Sequence, residues 1–67
     1  MQLSARNQLK ARIKAIKSND ISAEVILDMG GQEVCSNITT GSVNRLGLKV
    51  GDEVTALVKA SAVMIGK

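Results

Sequence analysis

Ser4, Arg6, Asn7 and Gln8 stand together near the start of the chain, and no acid accompanies them. Each of these side chains donates hydrogen bonds, and the arginine adds a permanent charge on a planar fork that spans two adjacent oxygens. Two later stretches share this character. In Thr39-Thr40-Gly41-Ser42-Val43, hydroxyls at Thr39 and Ser42 flank a glycine where a helical turn can begin with its N–H groups free. In Lys59-Ala60-Ser61, a cation precedes a small residue and a hydroxyl. Donors without competing acceptors suit a fully deprotonated oxyanion. Each stretch also has an ordinary reading: a solvated arginine, a helix capped by Thr40 or Ser42, and a solvated lysine at a strand end.

The elements that must position these groups follow from hydrophobic period. Leu9, Ala11, Ile13 and Ala15 alternate with Lys10, Arg12 and Lys14, the pattern of a half-buried strand, and the slip at Ala15-Ile16 predicts a bulge or the strand's end. Ser18-Asn19-Asp20 is turn chemistry. A second strand follows with Ile21, Ala23, Val25, Leu27 and Met29 inward, then a Gly30-Gly31 hairpin turn. Gln32–Thr39 reads as the third strand, with Val34 and Ile38 on its apolar face. Thr40 to Gly47 breaks the alternation and predicts a short helix closed by a left-handed glycine, with Leu48 packing back over it. After a turn at Val50-Gly51-Asp52, Glu53–Lys59 is a fourth strand, and Ala62–Ile65 is expected to form a brief fifth. The expected architecture is all-β: a five-stranded Greek-key barrel of the oligonucleotide/oligosaccharide-binding (OB) type, with one short helix between strands 3 and 4.

Composition narrows the function classes. The chain has 67 residues, no aromatic residue, no His, no Pro and a single Cys, with a net charge of +3. Residues 1–67 are read as one domain with an aliphatic core, which at this size is marginal alone. One Cys closes no internal bridge and no His is present for a metal cluster, so oligomerisation is the remaining source of stability. Single-strand nucleic-acid sites on this fold stack bases on aromatic rings, and there are none. Catalysis by acid–base or covalent steps has no His and no evident nucleophile–base pair, and Cys35 reads as a packing residue in a strand. No apolar run is long enough for a membrane span, so a cytoplasmic protein is expected.

Taken together the motifs carry more than each alone. Ser4-Ala5-Arg6-Asn7-Gln8-Leu9, Ile38-Thr39 with Ser42-Val43, Leu46 to Asp52 and Ala56 to Met64 are similar, over the full length of the chain, to the molbindins, small bacterial molybdate-binding proteins. Ala11 stands where relatives often have glycine. The resemblance implies binding of molybdate or tungstate, with no other cofactor and no direct metal ligand. By matched positions the anion would be held by Ser4, Arg6, Thr39, Ser42, the Val43 N–H, Lys59 and the Ala60-Ser61 segment. It also implies a homo-oligomer, a hexamer built as a trimer of dimers, with sites between subunits and with Arg6 and Lys59 reaching one anion from neighbouring chains. The function expected is storage or buffering of the oxyanion by a non-enzyme. The alternatives are a nucleic-acid-binding OB module, disfavoured above, and a generic oxyanion-binding structural oligomer.

Overall fold

A computed structural model of the chain describes residues 6–67. The first strand, β1 (Asn7–Ser18), is long because its two halves serve two partners. Its N-terminal half pairs antiparallel with β4 (Glu53–Val58), from Asn7↔Val58 to Arg12↔Glu53. Its C-terminal half pairs with β2 (Ser22–Met29), from Arg12↔Asp28 to Ser18↔Ala23. A bulge falls at this changeover, just before the expected position at Ala15-Ile16: the register shifts between Ile13 and Ala15, and the extra residue there bends the strand. The bend is fixed from the other side. Gly51 donates its N–H to the Ile13 carbonyl at 2.8 Å, and the Ile13 N–H donates to the Asp52 carbonyl at 2.9 Å.

β2 turns into β3 (Gln32–Thr39) through Gly30-Gly31, whose φ values of 62° and 92° suit a two-residue hairpin turn that only glycine adopts freely. Asp28 Oδ1 accepts from the Gly31 N–H at 2.9 Å and closes the turn. Then comes the single α-helix of the described residues, α1 (Thr40–Leu46). It stops at Gly47, φ 64°, and Leu48 returns its N–H to the Val43 carbonyl at 3.0 Å, as the glycine and the following leucine predict. The sheet order is β3-β2-β1-β4.

The core is Ala11, Ile13, Ala23, Val25, Leu27 and Val43, with Ile16, Met29, Val34, Ile38, Leu48, Val54 and Ala56 half-buried around it. Two residues expected inward are not. Ile21 is 79% exposed because β2 begins one residue later and Ile21 belongs to the turn, where its carbonyl accepts from Thr40. Leu9 is 45% exposed, in the half of β1 that only β4 adjoins.

The expected fifth strand is replaced by other geometry. Ala60–Ala62 forms a 3-10 turn, in which Ala62 N–H donates to the Lys59 carbonyl at 2.9 Å and Val63 N–H to the Ala60 carbonyl at 3.3 Å. That turn leads the chain off the sheet, and Val63, Met64 and Ile65 join no ladder; Met64 is 93% exposed. The sheet of this chain is therefore four-stranded and mostly antiparallel β with one short helix, not a closed five-stranded barrel. Between the unpaired edges of β3 and β4 lies an apolar groove of about 610 Å³, floored by Ile13, Val25 and Leu27.

Candidate oxyanion site

The described donors fall into two groups. The first is built by the β1–β4 ladder. Its last rung is Asn7↔Val58, so Arg6 and Lys59 each come one position beyond it, at the same end of the ladder. Lys59 has extended backbone (φ −64°, ψ 137°) and caps the 3-10 turn. Arg6 and Lys59 are exposed, and neither makes an ion pair among the described residues. The N–H groups of Ala60 and Ser61 begin that turn and find no acceptor among the described residues, as expected for a first turn. Two cations, two free amides and the Ser61 hydroxyl thus occupy one end of the sheet. Ser4 lies outside the described residues.

The second group is built by the junction of β3 and α1. Thr39 is the N-cap (φ −74°, ψ 149°), and its Oγ1 accepts from the Ser42 N–H at 3.0 Å. The expected capping residues, Thr40 and Ser42, do other things. Thr40 donates its hydroxyl to the Asn19 carbonyl at 2.6 Å and its N–H to the Ile21 carbonyl at 3.0 Å, which ties the helix to the β1–β2 turn. Asn19 stiffens that turn by accepting from the N–H groups of Ile21 and Ser22 at 2.8 and 2.9 Å. Ser42 Oγ accepts from the Thr39 hydroxyl at 2.8 Å and from Arg45 Nη2 at 3.3 Å.

Val43 is buried in the core, and as the fourth residue after the Thr39 cap its N–H is at the spacing from which an α-helix donates to the cap carbonyl. The N–H in this turn that has no partner among the described residues is Gly41's, since those of Thr40 and Ser42 are taken. Open space surrounds Gly41; an added Cβ would meet only Thr39 Oγ1 at 3.9 Å. The sequence reading took Gly41 only as the start of a helical turn with free N–H groups, and it passed over Arg45. The spacing of Arg45, three after Ser42 on one helix, was a usable signal.

The two groups do not meet within the chain. Arg6 and Lys59 lie by the Asn7 end of β1, whereas Thr39 pairs with Ser22 beside the Ser18 end, across β2. They also belong to opposite edges of the sheet, β4 and β3. The register thus places Arg6 and Lys59 at one end of the sheet of the same chain, with Ser42 at the other.

Electrostatics away from these groups are ordinary. Arg12 pairs with Glu53 at 3.0 Å and Lys14 with Glu33, all on the solvent side. Glu33 raises the Lys14 pKa through its hydrogen bond and its charge. Desolvation, helped by Glu24, pushes the exposed Cys35 thiol above its usual value. No cluster of metal-ligating side chains and no helix long and apolar enough to cross a membrane occurs among the described residues.

Comparison with known proteins gives this geometry a family. The TOBE domain model matches residues 3–65. The chain is 47% identical to molybdenum-pterin-binding protein 3 of Clostridium pasteurianum, over 97% of either chain. Its structure matches that of a molybdate-binding protein from Sporomusa ovata with a TM-score of 0.95 and 42% identity, covering both chains in full. It also matches the molybdate-bound cytoplasmic protein ModG with a TM-score of 0.83 and 43% identity, over 90% of this chain and 43% of that one. The chain belongs to the TOBE domain family, among its small molybdenum-pterin-binding members, the molbindins.

Proposed function

We propose that this protein binds molybdate and tungstate as intact, fully deprotonated oxyanions and stores them in the cytoplasm, without catalysing a reaction on them. The observation that carries the reading is the separation of the donor groups. Arg6, Lys59 and the amides of Ala60 and Ser61 form a cationic end by the Asn7 end of β1, while Gly41 and Ser42 form a second donor end by its Ser18 end, on the other edge of the sheet. In a homo-oligomer the cationic end of one subunit meets the second donor end of another, and the anion is enclosed between them. Each charge-assisted hydrogen bond is worth ~1.5–3 kcal/mol net, so several suffice for tight binding.

The same assembly accounts for the rest of the chain. A core of small aliphatic residues and an open groove between β3 and β4 leave the single chain short of buried apolar surface. A fifth stave laid in that groove by the Val63–Ile65 segment of a neighbouring subunit completes the OB-like barrel. A hexamer arranged as a trimer of dimers is the assembly proposed. The relatives' name suggests a molybdenum-pterin ligand as a second reading. Against it, the chain has no aromatic ring on which a pterin would stack.

Titration calorimetry with molybdate, tungstate, sulfate and phosphate at fixed ionic strength tests the proposal. Comparable tight binding of molybdate and tungstate, with far weaker sulfate, is the expected result. Equal binding of sulfate would reduce the site to a generic anion pocket, and absence of pterin-free molybdate binding would favour the second reading.

A further inference from the structure

Ser42 receives two hydrogen bonds at one oxygen. The Thr39 hydroxyl donates to Ser42 Oγ at 2.8 Å, and Arg45 Nη2 donates to the same atom at 3.3 Å. A guanidinium has no acceptor, so chemistry alone fixes the direction of the second bond. A serine hydroxyl has one proton and two lone pairs. With both lone pairs engaged, the capacity left on Ser42 is its own proton, directed away from Thr39 and Arg45. Thr39 is committed in the complementary sense: its Oγ1 accepts from the Ser42 N–H, and its proton is given to Ser42.

Resting on the oxyanion reading of this cluster, we propose that Arg45 is a positioning residue that holds the Ser42 hydroxyl as an obligate donor, and so selects fully deprotonated oxyanions over protonated ones of equal charge. Arg45 does not touch the anion, and neither does Thr39; both act through Ser42. When the Arg45 bond is lost, a lone pair of Ser42 is freed. The hydroxyl can then accept a proton from monohydrogen phosphate, which the intact cluster meets with donors only. Leaving a buried donor on the ligand unpaired is the costly case in recognition, whereas a hydroxyl able to turn either way removes that cost. Arg45 also lies in the last turn of α1, where a cation suits the helix dipole. A role confined to that dipole would alter stability and leave ligand preference untouched.

The test is calorimetry on the assembled full-length protein, comparing the unaltered chain with Arg45→Met and Arg45→Lys. Molybdate is titrated alone and then in competition with inorganic phosphate, at a pH where phosphate is the monohydrogen dianion. Both anions then carry two charges, so loss of a cation weakens them alike and the ratio of affinities reports the hydroxyl. Arg45→Met is expected to lower the preference for molybdate by about threefold to tenfold. Arg45→Lys, which keeps a donor-only cation, is expected to regain the preference. A preference left unchanged by Arg45→Met, including phosphate that still fails to compete, would overturn the inference alone, as would equal losses in the two variants. Failure of the unaltered protein to bind molybdate would overturn the oxyanion reading beneath it and the inference together.

Discussion

Arg6 and Lys59 each lie one step past the Asn7↔Val58 rung, at the same open end of the β1–β4 ladder. In the proposed site the two positive charges that a dianion needs are taken from one chain, from residues far apart in sequence that strand register brings to one end of the sheet. The hydroxyl and amide donors of Ser42 and Gly41 come from the other end of β1, and a second subunit has to supply them if they are to reach the same anion.

Subunit mixing distinguishes this arrangement from others. Oligomers reassembled from Arg6→Ala and Lys59→Ala chains should recover no molybdate sites, since every cationic end lacks one of its charges. Reassembly of Arg6→Ala with Ser42→Ala chains should recover a minority of sites, in which an intact cationic end meets an intact Ser42. Calorimetric stoichiometry measures both. Recovery in the first mixture, with subunit exchange verified by mass labelling, would mean that Arg6 and Lys59 come from different chains.

Much of this was legible in the sequence, for identifiable reasons. The β2–β3 hairpin follows from Gly30-Gly31 between alternating runs, and both strand ends at that turn fall where the pattern sets them. The bulge lies between Ile13 and Ala15, just before the slip in alternation at Ala15-Ile16, and the Gly47 stop follows from the left-handed conformation that glycine tolerates. The fifth strand was not legible, because Ala62–Ile65 is apolar enough for a strand but a strand also needs an edge to pair with. Within one chain the 3-10 turn at Ala60–Ala62 diverts it from β4. For the candidate site, residue type singled out Arg6, Lys59 and Ser42 and the helical turn at Gly41, but which backbone donors of that turn are already spent only the fold reveals.

Thr39 is expected to matter to the helix before it matters to any ligand. Thr39→Ala removes the oxygen that accepts the Ser42 N–H at 3.0 Å and should cost about 1 kcal/mol of stability. Thr39→Ser keeps that oxygen and should retain most of it. Urea denaturation followed by far-ultraviolet circular dichroism measures the difference. A loss in Thr39→Ser as large as in Thr39→Ala would assign the stability to the threonine methyl and not to the cap.

Ile13 is 1% exposed and joins the bulge to the Gly51 turn, so it sits where the two halves of the sheet meet. Ile13→Val should cost about 0.5–1.5 kcal/mol, because one methylene leaves a cavity that the rest of the core fills incompletely. Leu9→Val removes the same group from a side chain that is 45% exposed in the single chain. If that variant costs as much as Ile13→Val in equilibrium unfolding, Leu9 is covered by another subunit.

Cys35 is exposed on β3 yet carries a thiol whose pKa is raised, first by desolvation and then by Glu24. A raised pKa leaves less thiolate at neutral pH, and the thiolate is the nucleophile. Iodoacetamide labelling near neutral pH should therefore be slower than for a free cysteine peptide, and its rate should rise with pH to a midpoint above that of the peptide. Glu24→Gln removes the nearby negative charge and should lower the midpoint. A midpoint at or below the peptide's would show that the surroundings of Cys35 in solution differ from those in the single chain.

Met64 offers the sharpest separation of chain from assembly. At 93% exposed it contributes almost nothing to the core of one subunit, and by that measure a charge there is harmless. The groove between β3 and β4 predicts the opposite, since a segment that completes the barrel of a neighbour would carry Met64 into or beside an apolar slot. An unpaired carboxylate in such a place is strongly disfavoured. Met64→Asp should leave the circular dichroism of the chain close to that of the unaltered protein, while sedimentation velocity shifts toward smaller species. Loss of molybdate binding should accompany that shift, because each proposed site needs two subunits. An oligomer unchanged by Met64→Asp would place the subunit contacts elsewhere and leave the groove uncovered by this segment.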